Sequence, residues 1–180
     1  FWGWWKNQMD SYWITLHVTE ALIAAQTAGY NVSINKTNLL EEINWKLLTE
    51  ENIDNNLKAL HVLKLLDTTS VLNGFIQKIE EKPGLTTSQK LKLDELKLKL
   101  NISTDIEKYT NKLERTIFGG YFLKSEGSSF SLFENDLINT IGLYKVLKLK
   151  DSVKYKEYLN GIKTYFLQEK QYNGYWRNTY

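Results

Sequence analysis

The sequence predicts an all-α fold of about eight helices, arranged as antiparallel hairpins. Apolar residues recur at helical spacing along most of the 180 residues, and the chain contains one proline, Pro83, to interrupt them. No segment makes a persuasive strand-turn-strand pattern. A glycine-aromatic turn that leads into a helix occurs more than once, and such recurrence is typical of helical-repeat architectures.

This glycine-aromatic turn occurs in three places. The first, Phe1 to Trp5, precedes a helix that contains Tyr12 to Thr15. The second, Gly119 to Phe122, precedes a helix that contains Ile138 to Thr140. The third, Gly174 to Tyr180, stands at the end of the chain. Because the chain starts without Met and ends inside a repeat, we expect it to be cut from a longer protein.

The composition indicates a folded globular protein. Hydrophobic residues make up 42% of the chain and aromatic residues 13%, which argues against disorder. The net charge is +2, and the lysines are interleaved with Asp and Glu, so the charge pattern argues against nucleic-acid binding. We interpret residues 1–180 as a single, partial helical domain.

The sequence lacks the residues for several kinds of site. It contains no cysteine, which excludes disulfides, a thiolate nucleophile and a cysteine-ligated zinc site within these residues. No stretch reaches the roughly 18 apolar residues that a membrane span needs. The longest candidate, Leu16 to Ala28, is interrupted by His17, Glu20 and Gln26. No Gly-rich phosphate loop, Gly-x-Ser-x-Gly motif or His-Glu-x-x-His motif is present.

Apolar periodicity and turn residues place the helices. We expect them over residues 10–28, 36–48, 53–67, 70–82, 91–100, 104–116, 133–148 and 153–170. The first helix has Asp10 or Ser11 as its N-cap and Gly29 as a left-handed stop. It is apolar nearly all round, which predicts burial on most of its faces.

The next three helices have narrower apolar stripes. These stripes are Leu40, Ile43 and Leu47, then Leu57 and Leu60 with Lys64, then Leu72, Phe75, Ile76 and Ile79. A one-sided stripe predicts a helix that contacts the core along one face. We therefore interpret the first two helices as an inner helix followed by an outer one. The turn from Lys82 to Gly84 closes the fourth helix.

The segment 91–100 fits two periods. Leu and Lys alternate there with period two, as in a strand, but Leu93, Leu96 and Leu100 also fit one face of a helix. Because Leu, Lys and Glu favour helices and disfavour strands, we predict a helix. Another helix is expected over 104–116, and a long loop over 118–131.

The last two helices each have a continuous apolar stripe. The stripes are Phe133, Leu137, Ile141, Tyr144 and Leu147 in the first, and Tyr155, Tyr158, Leu159, Ile162, Tyr165 and Phe166 in the second. The second of these helices is the more clearly amphipathic, with lysines and glutamates opposite the stripe. It is therefore expected to cover the core with one face exposed.

Aromatic residues concentrate in the glycine-aromatic turns. The cluster of Trp2, Trp4, Trp5 and Trp13 could form a platform for a carbohydrate or a peptide, but packing of the turn onto the following helix explains it better. The candidate contact or packing aromatics of the whole chain are Trp4, Trp5, Trp13, Tyr121 and Trp176.

The ionisable residues do not define a catalytic or metal site. His17 and His61 are too few for a metal site, and a hydrogen-bonded core histidine explains His17 better. Asp10, Glu134 and Asp136 could form the carboxylate pair of a glycosidase, but they stand where N-caps and first-turn acids belong. We therefore expect no catalytic, cofactor-binding or metal-binding residue, and no cofactor.

Several motifs of the chain resemble one known family. They are Gly3 to Thr15, Glu20 to Leu22, Ala28 to Val32 and Gly174 to Tyr180. The first combines a Gly-Trp-Trp turn with a Trp-x-Thr helix, and the third contains an Ala-Gly-Tyr helix end. Together they resemble the complement-like, thioester-type helical domain of bacterial alpha-2-macroglobulins. The centre of the chain, from about Leu57 to Arg115, matches that domain only in its helix rhythm.

That resemblance implies an α/α toroid, in which inner and outer helices alternate around a ring, and of which this chain is an incomplete part. The reactive centre of the family is a Cys-Gly-Glu-Gln thioester. This chain contains no Cys, so the thioester lies upstream or the parent protein lacks it. At the position of His17 the family usually has an aromatic residue, which favours a packing role for this histidine. No catalytic residue can be carried over.

The function that the resemblance implies is protease trapping at the bacterial cell envelope. In that mechanism, cleavage of a bait segment triggers a rearrangement that encloses or covalently captures the protease. The role of this chain would be structural and protein-binding, and it would not be an enzyme. Its partners would be proteases and other domains of the same parent chain, in the periplasm or at the cell surface.

Two alternatives remain open. One is an (α/α)-toroid enzyme acting on polysaccharide, in which at least two of Asp10, Glu20, Glu134 and Asp136 meet in an open cleft. The other is a non-inhibitory helical scaffold of an envelope complex. Fold kinship alone would not establish any of these functions.

Overall fold

The computed structural model describes residues 11–66, 72–126, 134–170 and 174. Most of these residues are helical, as predicted, and the described ranges contain eight helices and one two-stranded sheet. The chain divides into two compact units, Phe1–Lys82 and Pro83–Tyr180. The first glycine-aromatic turn, all of the third except Gly174, and the predicted helix starts near residues 70 and 133 lie outside the described residues.

The first unit contains four helices. They are α1 (Tyr12–Thr27), α2 (Lys36–Thr49), α3 (Ile53–Leu66) and α4 (Asn73–Glu80). Ser11 is the N-cap of α1, as predicted, and its Oγ accepts from the N–H of Ile14 at 3.5 Å. Gly29 follows α1 with φ +89°, the left-handed conformation of a helix stop. Asn35 caps α2, and its Oδ1 accepts from the N–H of Asn38 at 3.3 Å.

The core of the first unit forms around α3. Seven residues of α3 are buried, against four in α1, and α3 contacts both α1 and α2. The buried apolar residues of α3 are Leu57, Ala59, Leu60, Val62, Leu63 and Leu66. In α2 the buried residues are Leu39, Ile43 and Leu47, so Leu39 takes the place predicted for Leu40.

The burial of α1 differs from the prediction. Ile14, Thr15, Leu16 and Thr19 are buried, whereas no residue from Glu20 to Thr27 is. Apolar composition specifies which faces a helix can bury, but it does not specify how many neighbours the helix has. The expectation that α1 is buried on most faces is therefore wrong, and α3 is the more deeply buried helix.

The second unit contains four helices and a β-hairpin. Its elements are α5 (Thr87–Lys99), α6 (Glu107–Thr110), β1 (Leu113–Arg115), β2 (Tyr121–Leu123), α7 (Asp136–Asp151) and α8 (Lys156–Glu169). The segment that fits two periods is a helix, as predicted. It starts earlier than expected because Thr86 and Gln89 form a capping box, with hydrogen bonds of 3.2 and 3.1 Å between each side chain and the other residue's N–H.

The prediction of one helix over 104–116 is wrong. The helix α6 is a single turn that ends at Thr110, and Leu113 begins β1. β1 pairs with β2 in antiparallel fashion, with Leu113 opposite Leu123 and Arg115 opposite Tyr121. The expectation that the chain has no strand pair is corrected at the same time. Strands of three residues are too short to show alternation, so this hairpin has no recognisable sequence pattern.

Side chains fix the hairpin to the helices of the second unit. Thr140 on α7 accepts a hydrogen bond from the N–H of Leu123 at 2.9 Å through its Oγ1. The ring of Tyr121 lies so close to Gly161 on α8 that a Cβ at this glycine would overlap it. Glycine is therefore required where α8 passes the hairpin.

The core of the second unit joins α5, α6, α7, α8 and β2. Its buried members are Leu91, Ile106, Tyr109, Leu123, Leu143, Val146, Leu147, Tyr155, Leu159 and Ile162. In the predicted stripe of α8, Leu159, Ile162 and Tyr165 are buried, and Tyr158 and Phe166 are half-buried. In α7 the buried face includes Leu143 and Val146, whereas Ile141 and Tyr144 of the predicted stripe are half-buried.

Candidate protein-binding surface

The C-terminal half of α1, in which no residue is buried, lines an open groove on the first unit. The groove has a volume of about 430 Å³. Its lining residues are Glu20, Ile23, Ala24, Thr27 and Ala28 of α1 and its C-cap, with Leu65 of α3. The exposed atoms of the lining are almost all apolar. The groove is therefore a small, open apolar depression in the surface of the first unit.

Small side chains leave this groove open. Ala24 and Ala28 are four residues apart and therefore lie on the same face of the helix. Leu65, which faces them from α3, is 41% exposed. The N–H of Ala28 still bonds to the carbonyl of Ala24 at 3.0 Å, so the helix is regular to its end. The groove therefore results from short side chains on a complete helix.

One charged cluster borders the groove. Glu20 forms an ion pair through Oε2 with the Nζ of Lys58, and its Oε1 lies 3.2 Å from Nε2 of His61. Partial burial acts to raise the pKa of Glu20, but the hydrogen bond and charge of Lys58, with the charges of His61 and His17, outweigh it and the pKa is lowered. Glu20 is therefore ionised at neutral pH.

The prediction that His17 is a core histidine is wrong, because its side chain is exposed on α1 although Leu16 and Thr19 beside it are buried. Its hydrogen bonding is as predicted, since Nδ1 donates to the carbonyl oxygen of Trp13 at 2.9 Å. The rings of Trp13 and His17 also contact each other, with centroids 4.2 Å apart. Across the described ranges, no group of three or more His, Cys, Asp or Glu side chains could hold a metal ion.

The second unit presents an apolar protrusion at the end of its hairpin. We call Thr116 to Gly120 the hairpin tip. Ile117 is 93% exposed and Phe118 is 75% exposed. The N–H of Thr116 donates to the carbonyl of Gly120 at 2.8 Å, which closes the loop. The tip therefore holds two large apolar side chains in solvent on a hydrogen-bonded turn.

Further contacts hold the hairpin tip against α8. The hydroxyl of Thr116 donates to Oε1 of Gln168 at 2.8 Å and accepts from the N–H of Gly120 at 2.8 Å. The guanidinium of Arg115 lies 5.8 Å from the ring of Tyr121, and no carboxylate of the described residues pairs with it. The sequence prediction ended a helix at Thr116 and began a long loop at Phe118, so it missed the tip. Its one signal is an apolar pair directly before two glycines.

The predicted contact or packing aromatics lie only partly within the described residues. Trp4, Trp5 and Trp176 lie outside them. Trp13 belongs to the first unit and is 47% exposed. Tyr121 belongs to the second unit, where it is half-buried against α8. The two described aromatics therefore differ, since Tyr121 packs within its unit and much of Trp13 is open to solvent.

Those acids considered for a glycosidase pair that lie within the described residues all have structural partners. Asp10 lies outside the described residues. Glu134 accepts hydrogen bonds at 3.2 and 2.9 Å from a backbone N–H of α5 and a side-chain amide of α7. Asp136 begins α7 and accepts from a backbone N–H at 2.6 Å. Glu134 and Asp136 therefore hold the start of α7, while Glu20 bonds to Lys58 in the other unit.

A buried carboxylate that the sequence predictions did not include is Asp94, on α5. It accepts from the hydroxyls of Thr104 and Tyr109 at 2.5 and 2.6 Å and pairs with the Nζ of Lys108 at 2.9 Å. Burial, together with the hydrogen bond to Asp94, raises the pKa of Tyr109 far above its ordinary value. These bonds fix the segment after α5 onto that helix. An aspartate among Lys and Leu residues has no motif that would reveal this role.

No helix in the described part of the chain has both the length and the apolar content to cross a membrane. Comparisons with protein-family models, with curated proteins and with solved structures find no match for the chain. The resemblance to alpha-2-macroglobulins therefore rests on the sequence motifs alone.

Proposed function

We propose that this chain is a protein-binding helical domain of a bacterial alpha-2-macroglobulin-like protein that traps proteases, and that it is not itself an enzyme. The observation that carries the proposal is the apolar groove between α1 and α3. A helix with the composition of a buried helix has one half in which no residue is buried. Covering such a face with another protein surface removes apolar area from water and is favourable.

The family assignment and the finer architecture are proposed from the sequence motifs. The Ala-Gly-Tyr motif at the end of α1 supports them locally, because Gly29 has the left-handed conformation that a helix stop requires. The architecture we propose is an incomplete α/α toroid, with α1 as an inner helix and α2 as an outer helix. The location that goes with it is the periplasm or the cell surface.

In the proposed mechanism, cleavage of a bait segment elsewhere in the parent protein releases a conformational change. The domain then moves, and its groove contacts the protease or another domain of the same chain. Each Å² of apolar area covered in the groove contributes roughly 25 cal/mol. This chain contains no Cys, so covalent capture would need a thioester elsewhere in the parent.

Ala24→Lys in the full-length parent protein tests this proposal. Ala24 lines the groove and is exposed, so a lysine there places a charge in the contact surface without removing a core side chain. The matched control is Leu167→Ser, at an exposed leucine of α8. We expect less added protease to co-elute with the Ala24→Lys protein than with the wild type or the control. Equal capture by all three proteins would rule out the groove as the contact surface.

Methylamine distinguishes the covalent form of the trap from the conformational form. Addition of one methylamine to the intact parent, with release of a thiol, would indicate a thioester upstream. Failure of the parent to retain any protease would overturn the trap and favour the envelope scaffold. Release of reducing ends from a polysaccharide by this chain, abolished by Glu134→Gln, would overturn the non-enzymatic assignment.

A further inference from the structure

We propose that the hairpin tip is a membrane anchor, which inserts Ile117 and Phe118 into the surface of an anionic lipid bilayer while Arg115 binds lipid phosphates. The inference goes beyond the proposed function and does not rest on it. All residues that carry it belong to the second unit. The anchor is therefore complete within one compact unit of the chain.

The tip exposes two large apolar side chains that are neighbours in the sequence. Ile117 is 93% exposed and Phe118 is 75% exposed. Neither belongs to the core of the second unit, so packing does not account for their apolar character. The tip from Thr116 to Gly120 contains no charged residue. It therefore offers only apolar and neutral polar groups to whatever it contacts.

The backbone of the tip satisfies most of its own hydrogen-bond donors. The N–H of Thr116 donates to the carbonyl of Gly120 at 2.8 Å, and the N–H of Gly119 donates to the carbonyl of Thr116 at 3.0 Å. The N–H of Gly120 donates to Oγ1 of Thr116 at 2.8 Å. Entry into a lipid surface removes water from backbone groups, and an unpaired group there is costly. Three of the five N–H groups of the tip avoid this cost.

The tip is also held in one conformation before it meets a membrane. The hydroxyl of Thr116 donates to Oε1 of Gln168 on α8 at 2.8 Å. The backbone of Gly120 lies so close to α8 that a Cβ there would come within 2.8 Å of the backbone nitrogen of Tyr165. The tip therefore loses little conformational freedom on insertion, and such a loss is one of the main costs of binding.

Arg115 places a cation beside the tip. A Cβ at Gly119 would lie 3.5 Å from Nη2 of Arg115, so the guanidinium stands next to the turn. Its carbon lies 5.8 Å from the centre of the Tyr121 ring. A guanidinium binds phosphate oxygens through two parallel hydrogen bonds, which a lipid headgroup can accept. Arg115 is therefore placed to hold the headgroup layer while the tip enters below it.

The other charges of the hairpin region neutralise one another. Glu114 pairs with Lys124 at 3.3 Å, and Glu126 pairs with Lys112 at 3.6 Å. Within the described ranges, Arg115 has no carboxylate partner. The net charge next to the tip is therefore positive, which favours an anionic surface over a neutral one.

The size and the chemistry of the tip favour a lipid surface over a protein partner. Two side chains bury far less than the roughly 1,200 Å² of a stable protein interface. A protein partner would need a pocket of matching shape, whereas lipid chains adapt to the side chains that enter them. Even a single myristoyl chain gives only marginal membrane binding, so the anchor is expected to be weak and reversible, at millimolar lipid.

Co-sedimentation of the full chain with vesicles of equal parts phosphatidylglycerol and phosphatidylcholine tests the anchor. Phe118→Ser is expected to weaken binding about tenfold, because it removes the larger inserting side chain. Arg115→Gln is expected to weaken binding about fivefold on these vesicles and to have little effect on vesicles of phosphatidylcholine alone. Circular dichroism checks that both variants fold, which is expected because neither side chain belongs to the core.

The matched controls lie at the opposite end of α8 from the tip. Val153 is 82% exposed and directly precedes that end, and Lys156 is exposed at the first position of the helix. Gln168, which holds the tip, lies about 18 Å further along the helix axis. Val153→Ser and Lys156→Gln are therefore expected to bind vesicles within about twofold of the wild type.

A fluorescent label reports insertion directly. The chain contains no cysteine, so Ile117→Cys carries the only thiol and can be labelled there with nitrobenzoxadiazole. Addition of the anionic vesicles is expected to shift the emission of this label to shorter wavelength, because the probe leaves water. The same label on Val153→Cys is expected to show no shift.

Three results would overturn the membrane anchor. The wild type fails to sediment with the anionic vesicles at millimolar lipid, or Phe118→Ser binds them like the wild type, or the labels at positions 117 and 153 respond alike. Equal losses in Arg115→Gln and Lys156→Gln would overturn the role of Arg115, because net charge alone would then explain the attraction. None of these results bears on the protease trap, which capture by the Ala24→Lys parent measures separately.

Discussion

Gly161 determines how closely the hairpin approaches α8. The ring of Tyr121 occupies the space that a Cβ at this position would need. We expect Gly161→Ala to reduce the free energy of unfolding of the second unit by about 1 to 3 kcal/mol, as overpacking does in other cores. Urea denaturation measures this change. Gly74→Ala is the control, because a Cβ there meets nothing within 4 Å, and alanine is the better helix former. Similar destabilisation by both substitutions would contradict the close contact.

Glu20 is expected to make the first unit sensitive to acid. The pKa of Glu20 is lowered below the ordinary value of 4.5, so its carboxyl group loses its proton more readily in the folded protein than in the unfolded chain. The stability it contributes is therefore fully present above pH 4.5 and is lost as the pH falls through the lowered pKa. Urea midpoints followed by tryptophan fluorescence should depend less on pH in Glu20→Gln than in the wild type below this value. The control is Glu114→Gln, which removes the exposed ion pair between Glu114 and Lys124. Parallel pH profiles for Glu20→Gln and the wild type would refute the contribution of Glu20 to stability.

At the scale of elements, α5 depends on its N-terminal cap. The capping box of Thr86 and Gln89 satisfies two backbone N–H groups at the start of this helix. We expect Thr86→Ala to lower the free energy of unfolding of the second unit by about 1 kcal/mol. Thr164→Ala is the matched control, because the hydroxyl of Thr164 bonds only to a carbonyl of its own exposed helix turn. Equal effects of the two substitutions on the urea midpoint would show that the cap contributes nothing.

Prediction of the elements succeeded where local chemistry decides the structure. Ser11 and Gly29 bound α1 as expected, because capping and left-handed stops depend on neighbouring residues alone. It failed for residues 104–116, where the chain forms one helical turn and then pairs with β2. That pairing depends on contacts with α7 and α8, such as the bond from Leu123 to Thr140, which no local pattern encodes.

At the scale of the whole molecule, the two compact units are expected to unfold independently. Each has its own buried core, so a substitution in one core should leave the other protected. Asp94→Asn removes the charge that holds Lys108 and is expected to destabilise the second unit by about 1 to 3 kcal/mol. Hydrogen exchange followed by mass spectrometry should then show faster exchange in α5 and α7 and no change in α1 and α3. Faster exchange throughout would mean that the chain unfolds as one cooperative domain.

The amino-acid sequence was enough to predict that this protein is mostly helical and where most of its helices lie, and it shows that the chain contains no Cys, no Gly-x-Ser-x-Gly motif and no His-Glu-x-x-His motif. These properties follow from periodicity, caps and composition, which act over a few residues. Three-dimensional packing was needed to show that α3 rather than α1 is the deeply buried helix of the first unit, and that Ile117 and Phe118 are exposed on a hairpin tip. Burial depends on which surfaces meet in three dimensions. The helix α1 has the composition of a buried helix, but no residue of its C-terminal half is buried.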